Sequence, residues 1–234
     1  MEKSEVARFF IESGAFIGKE TTLKSGRRSP YFFNTAVFDD GEKSSRLARF
    51  YGEAMLERFG RGGFDVIFGP AYKGIALAVS IATALYTDFG VNVSFSFNRK
   101  EAKEHGERGS ALGHPVRDGE RVVLVDDVMT TGGTKREAVE FLAGQAPKAE
   151  VTGLFIALDR EEGGEEGESA LAAFTEATGI PVFSLLTISE LVSLAPAGLI
   201  SEELAGKISE YLAEYGVKHN DKKNRNSQEP DPCV

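Results

Sequence analysis

The residues best placed to do chemistry lie in RVVLVDDVMTTGGTKREA, residues 121–138. An apolar run, 122–125, ends on two adjacent carboxylates, Asp126 and Asp127. Val128 and Met129 follow, then Thr130, Thr131, Gly132, Gly133 and Thr134. The pattern predicts a buried strand, a loop of small and hydroxylic residues, and a helix over 133–144. A helix N-terminus presents unpaired N–H groups and a partial positive charge. Glycines let the backbone approach an anion closely, and threonine hydroxyls add donors, so the loop suits a phosphate monoester. The carboxylates would repel that phosphate and should face hydroxyls or a metal beside it. A phosphorylated sugar satisfies both halves. The plainer alternative makes Asp126 a turn cap and the Thr/Gly run a connector. Against it, strand, acid pair, loop and helix follow one another in register.

The elements that must position these groups are legible in outline. Residues 4–13 read as a helix with Ser4 as N-cap, and 43–59 as a second, with Leu47, Phe50, Tyr51, Ala54 and Met55 at helical spacing. TTLKSGRRSPYFFN (21–34) reads as short extended pieces around a turn. A rhythm then sets in: strand 65–69, helix 74–86, strand 91–97, a polar stretch 98–114, strand 121–125 and helix 133–144. Strand 150–158, helix 168–178 and strand 181–186 complete it. Apolar strands alternating with helices imply an α/β fold, a central mostly parallel sheet flanked by helices. In such a sheet ligands bind beyond the carboxyl ends of the strands, where Asp126 and Asp127 lie. The tail 218–234 is polar and aperiodic and is expected to be disordered.

Composition limits the partners. With 234 residues, 41% hydrophobic and 27% charged, the chain suits one α/β domain. No apolar run approaches the roughly 20 residues of a membrane span, and MEKSEVARFF predicts no secretory signal. The single cysteine, Cys233, has no intrachain partner, which favours a reducing cytoplasm. A net charge of −9 argues against general nucleic-acid binding. Bases concentrate at NRKEAKEHGER (98–108) and glutamates at EEGGEEGE (161–168), a pattern for a local anion site and not a basic face.

VVLVDDVMTTGGT resembles the phosphoribosyl-pyrophosphate (PRPP) motif of type I phosphoribosyltransferases. TLKSGRRSPYFFN (22–34), FGPAYKGI (68–75), FNRKEAKEHGERG (97–109) and ALDR (157–160) occur in the order and spacing of the orotate phosphoribosyltransferase family, a resemblance spanning roughly 4–215. It implies one phosphoribosyltransferase domain over 1–215, with a small N-terminal hood from about 1–40 plus C-terminal elements, and a tail at 216–234. It also implies the reaction: orotate and PRPP give orotidine 5′-monophosphate and pyrophosphate, in pyrimidine nucleotide synthesis, with Mg2+.

The resemblance assigns residues as follows. PRPP falls to Lys24, Tyr72, Lys73, Arg99, Lys100, Lys103, His105, Asp126, Asp127 and the loop Val128, Met129, Thr130, Thr131, Gly132, Gly133, Thr134. Orotate falls to Lys24, Phe32, Phe33, Thr130 and Arg160. The metal would be held mainly by PRPP, with Asp126 and Asp127 facing the ribose hydroxyls, directly or through metal-bound water. Segment 98–110 would be a lid reaching the neighbouring active site of a homodimer, with Lys103 as its catalytic cation and His105 beside it. The catalytic set is thus Lys103, His105, Asp126 and Asp127. A non-proline cis peptide is expected near Tyr72.

Plainer readings stand beside several of these. Lys73 is equally an exposed helix-start lysine, and 98–110 a solvated loop of alternating charge. His105 is either a charge near neutral pH or a hydrogen-bonding surface residue. Of Phe32 and Phe33, alternation puts one in the core and one in a site. Arg160 pairs either the substrate's acid group or carbonyl, or the acids at 161–166. Arg27 and Arg28 are left without a role. Three rivals are weaker. A sister enzyme for hypoxanthine, uracil or adenine is opposed by 24–33 and 97–109. A non-catalytic PRPP-sensing regulator that binds nucleic acid is opposed by the negative charge. A dinucleotide-binding enzyme lacks a G-x-G-x-x-G after an early strand.

Overall fold

A computed structural model describes residues 1–23, 25–99, 111–129, 132–164 and 167–217. The chain opens with α1 (Lys3–Glu12), which buries Val6, Ala7, Phe9 and Phe10. Its N-cap is Glu2, without a side-chain cap, so Ser4 lies inside the helix and not at its start. Two small antiparallel ribbons form the hood. β1 (Phe16–Ile17) pairs with β4 (Phe32–Phe33), and β2 (Thr21–Thr22) with β3 (Arg28–Ser29). α2 (Gly41–Phe59) starts two residues earlier than its apolar spacing suggests, because the Asp40 side chain caps Lys43 N.

β5 (Val66–Phe68), α3 (Lys73–Phe89), β6 (Ser94–Phe97), β7 (Leu112–Gly113), β8 (Arg121–Val125), α4 (Gly133–Gln145) and β9 (Glu150–Asp159) follow. Then come α5 (Ala170–Thr178), β10 (Val182–Thr187), α6 (Ile188–Ser193) and α7 (Glu202–Tyr215). The six-stranded sheet has the order β10-β9-β8-β5-β6-β7. All its pairs are parallel except β6 with β7. β7 lies within the polar stretch 98–114, which carries too little apolar pattern to suggest a strand. After Val217 the chain lies outside the described residues. Gly216 and Val217 themselves belong to the fold: Gly216 bridges Glu162, and Val217 N donates to Glu161 O.

Alternation along the strands makes two cores. Ile67, Val123, Val125, Phe155, Ala157 and Leu185 face α1, α2, α3, α6 and α7. Val66, Phe68, Val122, Leu124, Leu154 and Ile156 face α4 and α5, where Ala138, Leu142 and Phe174 complete the layer. A sheet covered on both faces needs such continuous apolar runs. β5 is followed in the chain by its neighbour on one side, β6, while its other neighbour is β8. The order therefore reverses between β5 and β8, and a crevice opens at their carboxyl ends.

Candidate active site

Both walls of this crevice come from residues that follow directly on a strand. β5 runs into Gly69, Pro70, Ala71 and Tyr72, and α3 begins at Lys73. The turn is tight: a Cβ at Gly69 would fall 1.8 Å from Gly74 O, so only glycine lets the strand end and helix start touch. Ala71 N donates to Asn98 Oδ1 at 2.9 Å, tying the turn to the end of β6. The Ala71–Tyr72 peptide is cis, as expected from the resemblance, and Tyr72 is exposed.

On the other wall β8 ends on Asp126 and Asp127. Asp126 is only 8% exposed. Its Oδ1 accepts Asp127 N at 2.9 Å, its Oδ2 meets Lys135 Nζ at 2.5 Å, and its carbonyl accepts the buried Tyr51 hydroxyl at 2.8 Å. Burial pushes its pKa above the usual aspartate value, and Lys135 only partly offsets this. Burial also acts on Asp127, but hydrogen bonds from Lys73 and Thr35 outweigh it and hold that carboxyl below the usual value. Lys73 Nζ lies 2.7 Å and Thr35 Oγ1 2.6 Å from Asp127 Oδ2. The pair is therefore asymmetric. Asp126 is anchored inward to the helix behind it, and Asp127 is shared across the crevice by α3 and the hood.

Val128 continues as a bridge to Leu158, Met129 is buried, and Gly132 caps α4 at φ +72°, which suits glycine. Gly133 opens the helix and Thr134 is exposed beside it. Lys24, Lys100, Lys103, His105, Thr130 and Thr131, and with them residues 100–110 of the segment expected to be a lid, lie outside the described residues; Arg99 is exposed. Phe33 packs in the core, its ring 5.0 Å from that of Phe10, and Phe32 is half-buried. Arg160 follows β9 and pairs with Glu162 at 2.6 Å, the second of its two expected partnerships.

Structure thus brings together Lys73, Asp126, Asp127 and Gly132–Gly133. It adds Thr35, Tyr51 and Lys135, which sequence reasoning missed. A lysine in a helix's first turn and a tyrosine at a helical core spacing carry no mark of a distant partner.

A phosphoribosyl transferase domain model matches residues 39–177, more than half of the chain. An orotate phosphoribosyltransferase of Clostridium acetobutylicum is 39% identical over 222 residues, 92% of this chain and 98% of that protein. The chain belongs to the orotate phosphoribosyltransferase family. A second relative in it, from Thiobacillus denitrificans, is 42% identical over 215 residues, again covering 92% and 98%. The crystal structure of the Francisella tularensis orotate phosphoribosyltransferase superposes with a TM-score of 0.78 at 30% identity, covering 89% of this chain and 97% of that one. The fold class read from the strand–helix rhythm is that of this orotate phosphoribosyltransferase structure.

Proposed function

We propose that this chain transfers the 5-phosphoribosyl group from PRPP to orotate, giving orotidine 5′-monophosphate and pyrophosphate. The observation that carries this reading is the convergence of Lys73, Asp126 and Asp127 on one crevice in a member of this family. The loop 128–134 takes the 5′-phosphate, with Gly132 and Gly133 allowing the approach and the α4 N-terminus supplying N–H donors. Asp127, partly exposed, faces the ribose hydroxyls. Lys73 leaves it for the pyrophosphate when PRPP arrives, as a lysine on a flexible stem can.

Orotate at neutral pH is already an electron-rich anion and needs little activation. The demanding event is departure of pyrophosphate from the anomeric carbon, which leaves an oxocarbenium-like ribose. The negative field of Asp126 and Asp127 favours that cation, and Arg99, Lys100, Lys103 and His105 stabilise the leaving group. Phe32, with Lys24, Thr130 and Arg160, forms the base side.

Mg2+ fits this donor set as an ion held mainly by substrate. Among the described residues no three metal-ligating side chains cluster; of the two adjacent carboxylates, Asp127 is the partly exposed one that hydroxyls or metal-bound water would meet, while Asp126 adds its charge from behind. The ion would neutralise charge on the pyrophosphate. We further place the enzyme in the cytoplasm, as a homodimer whose 98–110 loop serves the neighbouring site, with one domain over 1–215 plus Gly216 and Val217.

The test is the loss of orotate ultraviolet absorbance with PRPP, run beside uracil and hypoxanthine, without Mg2+, and with Lys103→Ala. Orotate-only, Mg2+-dependent loss that falls by about 10²-fold or more in the variant is the expected result. PRPP binding without turnover of any base would overturn the reading in favour of a regulator.

A further inference from the structure

Arg160 is held from three sides by groups to which the transfer reading gives no task. Its Nη2 donates to Glu162 Oε1 at 2.6 Å, and the same oxygen accepts the Tyr211 hydroxyl at 2.9 Å. The guanidinium carbon lies 5.0 Å from the centroid of the Tyr31 ring, and Nε approaches the Tyr31 hydroxyl at 3.4 Å. Tyr31 comes from the hood and is fully buried; Tyr211 comes from α7, and the two rings meet edge-on. Burial raises the Tyr211 hydroxyl to about 12, so it stays a donor at neutral pH.

The backbone on either side of Glu162 is tied to both ends of the chain, and Glu162 itself bridges Gly216. Glu161 O accepts Val217 N, and Glu161 Oε2 accepts Ser189 N at 2.6 Å. Arg27 donates to Gly163 O at 2.8 Å and Gly164 O at 3.2 Å, with its guanidinium 5.3 Å from the Tyr215 ring centroid. The start of the acidic run is therefore a clamp between the hood and α7, and its Glu162 faces inward.

A long side chain that must meet a ligand loses rotamer freedom on binding, and holding it beforehand removes that cost. We propose that Glu162 is a positioning residue for base recognition: with the Tyr211 hydroxyl and the Tyr31 ring it holds Arg160 ready at the base side of the crevice. The C-terminal helix thereby becomes part of the orotate pocket. This rests on the proposed role of Arg160 toward orotate.

The experiment varies orotate and PRPP independently for the parent chain, Glu162→Gln, Tyr211→Phe, Arg160→Met and the double variant Arg160→Met with Glu162→Gln. Thermal midpoints are measured alongside. Glu162→Gln is expected to raise KM for orotate about tenfold while KM for PRPP stays within about twofold. Tyr211→Phe, which keeps the ring, should move orotate KM the same way by roughly two- to threefold with its midpoint unchanged. Because Glu162 acts through Arg160, the double variant should be no worse than Arg160→Met alone. Unchanged orotate KM in both single variants, an equal rise for both substrates, or additive losses would overturn the proposal while leaving the transfer reading intact. A parent chain that does not consume orotate removes both.

Discussion

Lys135 donates to Asp126 Oδ2 at 2.5 Å and to Val128 O at 2.8 Å from the first turn of α4, with 7% of the residue exposed. A cation there is opposed by burial and by the helix dipole, so the carboxylate is what makes the position tolerable.

Lys135→Met should therefore strand Asp126 and cost about 3–5 kcal/mol, lowering the melting temperature by on the order of 10 °C. Lys135→Met combined with Asp126→Asn should recover part of that loss. Calorimetry of the three proteins checks it, and a single variant as stable as its parent would contradict the pairing.

Gly69 and Gly74 make the strand-to-helix turn that delivers Lys73. A Cβ at Gly69 would lie 1.8 Å from Gly74 O and 2.3 Å from its carbonyl carbon, atoms that cannot yield without shifting the start of α3. Gly69→Ala should cost about 2 kcal/mol or more and reduce activity further by displacing Lys73 from Asp127. Gly144→Ala is the control: it lies inside α4, nothing stands within 4 Å, and the change should be neutral or stabilising by up to about 1 kcal/mol. Denaturant unfolding of both variants separates the two cases.

At the opposite, amino-terminal edge of the same strands, Arg121 forms a two-pronged contact with Asp65, Nη2 to Oδ1 at 2.8 Å and Nε to Oδ2 at 3.0 Å. Those bonds hold the Asp65 carboxyl below its usual 3.8, so the folded state binds its proton less readily than the unfolded chain. The stability this supplies is present above the ordinary aspartate value and disappears as pH falls below it through the folded value. Because the pair is about two-fifths exposed, Asp65→Asn should cost only about 1 kcal/mol or less at pH 7. The cost should shrink as pH falls below 3.8 and be lost once it passes below the folded value, with turnover unchanged at pH 7. Urea midpoints measured over a falling pH series follow it.

Much of the crevice was legible because the run 122–125 ends abruptly on charge, and an acid pair at a buried strand's end has few structural uses. FGPAYKGI was legible through its glycines. Thr35, Tyr51 and Lys135 were not. Each is an ordinary residue locally, and its partner lies across the fold or, for Lys135, nine residues back at the end of β8: Tyr51 donates to a carbonyl 75 residues on, and Thr35 reaches Asp127 over 92. The elements after β10 went unread although TISE at 187–190 carries a capping box, which the structure realises with both reciprocal bonds. For Phe32 and Phe33 the alternation gave the division but not its direction. Packing against Phe10 puts Phe33 inside.

Arg27 near one end of the chain and Tyr211, Tyr215 and Val217 near the other all close on residues 161–164. Synthesis therefore completes the surroundings of Lys73 and those of Arg160 at different times. A nascent chain halted after β10 already holds the ends of β5 and β8 with their glycines and carboxylates. It has Arg160 but not the Tyr211 hydroxyl that shares Glu162, and the Arg27 guanidinium has no Tyr215 ring beneath it. The wall that carries Lys73 and Asp127 can form while the ribosome is still at work; the surroundings of Arg160 wait for α7 to emerge.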